Sequence, residues 1–145
     1  MLEELVDHVI GIDPDRDWIT AAIVDSKTSG VVTTERFSAN TTGYAEAICW
    51  AEAYTEAGER AWAIEGTASY GRGLTAALSR GGEWVIEYDR PREKAAKDGA
   101  KSDELDAIRA ARETLVIDTY AGDIIRPSAA PAGAKPPAIG ATPLD

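Results

Sequence analysis

The sequence has few residues that form disulfides or bind transition metals, with one cysteine and one histidine among 145 residues. The single thiol, Cys49, cannot form an internal disulfide, which fits a reducing compartment, and we expect it in the core or at its boundary. His8 is accompanied by no second histidine ligand. The chain also lacks a long apolar run, and its first residues are acidic, so we expect neither a transmembrane helix nor a signal peptide. These absences predict a cytoplasmic protein with no membrane partner.

Positive charge is scarce as well, because 15 Lys and Arg residues stand against 25 Asp and Glu, a net charge of −10. Contacts to phosphates normally supply the affinity of proteins for nucleic acids, so this balance works against unaided, nonspecific binding to a polyanion. Any nucleic-acid function must therefore be local, assisted by metal or shared with further sequence. What is present is a hydrophobic content of 44%, enough for one domain with a sizeable core.

Apolar runs bounded by turn residues predict five strands, at residues 8–13, 18–25, 31–37, 61–65 and 84–88. Alanine-rich segments predict three helices, at residues 44–57, 71–80 and from 102 to about 120. Short turns join the first three strands, so we expect these to pair antiparallel. The alternation of strands and helices after them implies right-handed crossovers and parallel pairing.

The predicted architecture is therefore an α/β protein of the order β-β-β-α-β-α-β-α, a mixed five-stranded sheet with helices on its faces. This is the ribonuclease-H-like plan. After Gly122 the composition changes to proline, alanine and glycine, which leaves too few large apolar residues to compensate for the loss of chain entropy. We expect one domain at residues 1–121 and a disordered tail at residues 122–145.

Four carboxylates stand at chemically suggestive positions. Asp13 and Glu65 each end an apolar strand, and Asp103 and Asp106 are three residues apart at the start of the last helix, hence on one face of it. Ligands in open α/β sheets gather beyond the carboxyl ends of strands, so we expect these groups to converge there. Clustered carboxylates repel one another without cations, and oxygen ligands suit Mg²⁺ or Mn²⁺. The pattern predicts two-metal phosphoryl transfer.

Each of these carboxylates also has a simpler explanation. Asp13 can be a turn residue, with Asp15 and Asp17 solvated beside it. Ser102 or Asp103 can cap the last helix, whose acidic first turn complements its dipole. Glu65 is harder to explain this way, because a lone carboxylate after an apolar run is costly to bury.

Two further groups of residues have structural explanations. The basic residues of one segment form a solvated loop or, as the best candidates in the chain, contact phosphates: Arg90, Arg92, Lys94, Lys97 and Lys101. The tryptophans follow strand and helix patterns, so we expect them in the core rather than as stacking platforms: Trp18, Trp50, Trp62 and Trp84.

Four pieces of the sequence, in this order, resemble one family: VIGID at 9–13, EGTASYGRGL at 65–74, DRP at 89–91 and KSDELDA at 101–107. They are similar to the DEDD-type insertion-sequence transposases, recombinases guided by a bridge RNA, over about residues 7–118. The resemblance implies a RuvC-like domain whose Mg²⁺-binding tetrad is Asp13, Glu65, Asp103 and Asp106. It also implies DNA cleavage and strand transfer in transposition, with DNA, guide RNA and further copies of the protein as partners.

Members of that family carry a second domain with a serine that attacks DNA, and past about Gly122 the sequence resembles nothing in it. Ser128 is the only serine in that tail, and its proline and alanine neighbours give no reason to assign it that role. We expect a truncated or frameshifted copy, an expressed fragment or a retained domain with another role. Such a chain should retain at most metal binding, part of an RNA-binding surface and protein contacts. The alternatives are an autonomous structure-selective endonuclease, a noncatalytic remnant that binds RNA or other copies, and a sugar-kinase-like lobe.

Overall fold

A computed structural model describes residues 2–67, 69–88, 103–116 and 124–125 of the protein. After a 3₁₀ turn at Leu2–Glu4, the elements follow in this order: β1 (His8–Pro14), β2 (Trp18–Asp25), β3 (Val31–Ser38), α1 (Thr41–Tyr54), β4 (Arg60–Glu65), α2 (Arg72–Arg80), β5 (Trp84–Tyr88), α3 (Asp103–Leu115) and β6 (Ile124–Ile125). The predicted order of five strands and three helices is confirmed.

The strands form one mixed sheet in the order β3-β2-β1-β4-β5-β6. The first three strands pair antiparallel, whereas β1 with β4 and β4 with β5 pair parallel, as the connections predicted. The sequence patterns did not predict β6, which pairs antiparallel with β5. Its two residues fall in the segment predicted to be disordered, and the rest of that segment lies outside the described residues. The α/β class and the mixed sheet are thus confirmed, with one more strand than expected.

The two faces of the sheet carry different helices. Ile10 and Ile12 of β1 belong to a core cluster that includes residues of α1 and α2, whereas Val9 belongs to a cluster with Ala111 and Leu115 of α3. Successive strand residues point to opposite faces, so the odd-numbered residues of β1 face α3. That face therefore carries Asp13, at the carboxyl end of the strand.

Gly11 allows α3 to lie directly on β1. A Cβ atom at this position would collide with the carbonyl oxygen of Ala107 and come within 2.8 Å of the Ala111 amide nitrogen. Four helical residues and two strand residues both advance the chain by about 6–7 Å, so every second residue of β1 meets every fourth residue of α3. The first turn of α3 consequently lies over the carboxyl end of β1.

The bounds of α1 differ from the prediction by three residues at each end. The helix begins at Thr41 because the Asn40 side chain accepts a hydrogen bond from the Gly43 amide at 2.8 Å and caps it. It ends at Tyr54 because Thr55 adopts an extended backbone. No helix in the described part of the chain is long and apolar enough to cross a membrane.

Two predictions of burial were wrong. Trp62 and Trp84 are in the core, but Trp18 is 40% exposed. It begins β2 and lies beyond the end of β1, whose last residue, Pro14, pairs with Ile19. Cys49 is exposed because α1 buries the face that carries Gly43, Ala47 and Ala51.

Candidate metal centre

Three of the predicted carboxylates lie together at the carboxyl end of β1. Asp13, Asp103 and Asp106 each place one carboxylate oxygen within 4.8 Å of the other two. Asp106 is only 4% exposed, and Asp13 and Asp103 are partly buried. Helix capping does not explain this arrangement, because Asp106 is buried inside the first turn and Asp13 comes from a different element. Negative charge is concentrated here at low solvent exposure, which a cation would stabilise.

Glu65 shares the cavity of this cluster without joining its tightest part. It ends β4, next to β1 in parallel register, and it lines a cavity of about 380 Å³ together with the three aspartates. It is not among the groups whose oxygens meet within 4.8 Å. At about 30 Å³ per water molecule, the cavity has room for an ion, its water ligands and a phosphate group.

No protein-family model matches the chain, and no curated protein is significantly similar to it. The geometry and chemistry of the centre therefore carry the functional assignment.

Two arginines border the carboxylates. Arg36 of β3 places Nη2 3.5 Å from Asp103 Oδ2, and Arg109 of α3 places Nη1 3.4 Å from Asp106 Oδ1. Their side chains are 52% and 38% exposed, so water screens both ion pairs and each contributes little to stability. Three carboxylates thus meet within 4.8 Å of one another, and each of these arginines borders one of them.

The loop after β4 forms another wall of the cavity. Gly66 has a φ of 72°, and its carbonyl accepts hydrogen bonds from the amides of Ser69 and Gly71, each at 2.9 Å. This turn holds Ser69 and Tyr70 on the cavity wall. The sequence patterns predicted neither residue as part of the site. The signal available was the pair of glycines that brackets the loop directly after Glu65.

The exposed carboxylate of Asp15 also lines the cavity, although we expected it only as a solvated turn residue. The residues predicted to contact phosphates lie outside the described ranges: Arg90, Arg92, Lys94, Lys97 and Lys101. Ser128 lies outside them too.

The donor set fits a hard divalent cation. All three clustered groups offer carboxylate oxygen, which Mg²⁺, Mn²⁺ and Ca²⁺ prefer over nitrogen or sulfur. Oxygens on opposite sides of a bound Mg²⁺ lie about 4.2 Å apart, so a spread of up to 4.8 Å closes by small side-chain rotations. The cluster can therefore hold a metal ion.

Proposed function

We propose that the protein is a divalent-metal-dependent catalytic domain that acts on the phosphodiester backbone of nucleic acid, with Asp13, Glu65, Asp103 and Asp106 as metal ligands. The meeting of Asp13 with Asp103 and Asp106, 90 or more residues away along the chain, supports this proposal most directly. The burial of Asp106 adds to it, because a buried carboxylate surrounded by other carboxylates is costly unless a cation is bound.

The fold supports a more specific form of the proposal. Three antiparallel strands followed by two parallel ones, with an acidic helix over the first strand, suit the ribonuclease-H-like plan that the sequence order predicts. In that form the domain is RuvC-like and belongs to a DEDD-type transposase. It contributes the Mg²⁺ or Mn²⁺ centre for DNA cleavage and strand transfer in transposition. Its partners would be DNA, a guide RNA and further copies of the protein.

The charges in such a centre determine which roles belong to the metal ions and which to the protein. Bound divalent ions would activate the attacking oxygen and stabilise the leaving oxygen. The chain supplies position, since Asp13 is held by pairing with Thr20 across the sheet and Asp106 by burial in α3. The carboxylates also exclude phosphate in the absence of a counter-charge, because like charges at this separation repel. We therefore expect nucleic acid to bind at this centre only when metal is present.

A thermal-stability measurement with and without metal tests the proposal. Mg²⁺ or Mn²⁺ at about a hundred times its Kd should stabilise the folded protein by about 2.7 kcal/mol and raise Tm by about 10 °C. The double variant Asp103→Asn with Asp106→Asn should lose this rise. Asp17→Asn, which removes one negative charge at a side chain that is 68% exposed, should keep it. A wild-type Tm that does not respond to either ion would contradict the proposal.

A cleavage assay separates the transposase domain from an autonomous nuclease. Metal-dependent cutting of branched DNA by the chain alone would favour a structure-selective endonuclease. Metal binding without cutting would favour a domain that completes its active site with other protein segments.

A further inference from the structure

Beside the carboxylate cluster, Trp18 of β2 and Arg36 of β3 form a stacked pair on the sheet face that carries α3. The guanidinium carbon of Arg36 lies 4.4 Å from the centroid of the Trp18 ring, and Nη2 of the same group lies 3.5 Å from Asp103 Oδ2. Trp18 is 40% exposed, and the Arg36 side chain is 52% exposed. The pair thus presents an aromatic surface and an oriented cation to solvent next to the proposed metal centre.

The register of the sheet explains why the pair lies there. Thr20 is paired with Asp13 on one side and with Arg36 on the other, so Arg36 lies two strands from Asp13 in the same row. Two strand spacings amount to about 10 Å. Trp18 is two residues from Thr20 on β2 and therefore points to the same face. A polynucleotide with one phosphate at the carboxylates would pass over this row.

The charge of the region gives Arg36 a second possible partner. Its guanidinium and a divalent ion compete for Asp103, because both bind the same carboxylate. Once Asp103 ligates an ion, the guanidinium can keep its stack on Trp18 while its N–H donors bind phosphate. In a chain of net charge −10, an oriented arginine at the edge of the acidic centre offers a local contact for a polyanion.

We propose that Trp18 and Arg36 form a platform for an unpaired nucleic-acid strand that enters or leaves the carboxylate centre. A base stacks against Trp18, and the adjoining phosphate accepts hydrogen bonds from Arg36. This proposal rests on the metal-dependent function proposed above. It assigns a positioning role to both residues, because neither contacts the reacting phosphate.

Fluorescein-labelled oligo(dT) and oligo(rU), titrated with the full chain in Mg²⁺, provide the test. Trp18→Leu should weaken binding by about fivefold to a hundredfold, because it removes stacking. Trp18→Tyr should retain most of the affinity. The control Tyr54→Leu removes an aromatic side chain that is 50% exposed on α1, over the other face of the sheet, and should bind like wild type.

Arg36→Gln has a distinct signature. It should make the slope of log K against log salt concentration less negative by about 0.7, the contribution of one phosphate contact in a single strand. Trp18→Leu should leave this slope unchanged. Arg36→Gln should also bind Mg²⁺ about two to five times more tightly, because the competing cation beside Asp103 is gone. The control Arg80→Gln, an equal charge change at the exposed end of α2, should alter neither quantity.

Weaker oligonucleotide binding in both the Trp18→Leu and the Arg36→Gln variant would support the platform, with Mg²⁺ binding unchanged in the first and no weaker in the second. The tighter of the two oligonucleotides would show whether the strand is DNA or RNA. Wild-type affinity in both variants, equal losses in the controls, or no binding of either oligonucleotide by the wild type would overturn it. The metal-dependent rise in Tm is measured separately, so the platform can fail while the metal centre stands.

Discussion

The two ends of the parallel strands both bury a carboxylate, but the groups that surround it differ. At the amino end, Arg60 donates from Nε and Nη2 to the two carboxylate oxygens of Glu83 at 2.9 and 2.6 Å, and Trp62 Nε1 donates to the same group at 2.8 Å. Arg60 and Glu83 are 2% and 7% exposed. At the carboxyl end, Asp106 is equally buried, but it lies among other carboxylates, and its ion pair with the partly exposed Arg109 measures 3.4 Å.

The difference separates a structural ion pair from a candidate functional centre. An arginine and a glutamate joined by two hydrogen bonds neutralise each other's charge and satisfy most of each other's hydrogen-bonding groups. Such a pair needs no ligand. The aspartates at the other end bring like charges close together, with the exposed Arg36 and the partly exposed Arg109 at their border. A bound cation stabilises carboxylates that lie this close together, so this cluster can hold a metal ion.

The largest effect should come from breaking the pair at the amino end. Glu83→Gln leaves Arg60 buried without its counter-charge, so we expect the free energy of unfolding in urea to fall by about 3–5 kcal/mol. The control Glu87→Gln makes the same chemical change at an exposed position of β5 and should shift stability by less than about 0.5 kcal/mol. An equal loss of stability in the two variants would mean that Glu83 is not held in a structural ion pair, and the contrast with the carboxyl end would disappear.

A smaller effect of opposite sign should come from the carboxyl end. In EDTA, Asp106→Asn removes one of the mutually repelling charges while keeping the shape of the side chain, so stability should rise by about 0.5–1 kcal/mol at low salt. With Mg²⁺ in excess the order should reverse, because only the wild type retains its full set of ligands. Urea unfolding under both conditions measures this. A variant less stable than wild type in EDTA would mean that Asp106 is satisfied in the way Glu83 is.

The smallest effect concerns a carboxylate that is satisfied by backbone amides. The amides of Thr28 and Lys27 donate to Asp25 Oδ1 at 3.0 and 2.8 Å and hold the pKa of that carboxyl below its usual value of 3.8. The folded-state pKa is lowered, so this contribution is present above the usual pKa and is lost as pH falls through the lowered one.

Asp25→Asn should therefore flatten the acid limb of the stability curve by about a few tenths of a kcal/mol, because the site is exposed to water. Urea unfolding across that pH range measures the change. Identical acid limbs in the two proteins would show that Asp25 does not contribute. Only two kinds of carboxylate would then differ in their effect on stability: the ion-paired Glu83 and the clustered Asp106.

Local patterns predicted the strands well where turn residues bracket an apolar run, as at Trp18–Asp25 and Trp84–Tyr88. They failed where one side chain decides a boundary, since Asn40 starts α1 three residues before the predicted helix. They also failed for Trp18, because the β-forming character of a residue does not show whether another element covers it.

The sequence by itself determined the order of the elements and the placement of Asp103 and Asp106 on one helical face, because both follow from periodicity along a short stretch of chain. Only the tertiary structure decided that Asp13 joins them within 4.8 Å while Glu65 remains on the cavity wall, and that Arg36 borders the cluster. These outcomes depend on strand register and on the close approach of α3 to β1 over Gly11, which bring together residues far apart in the chain.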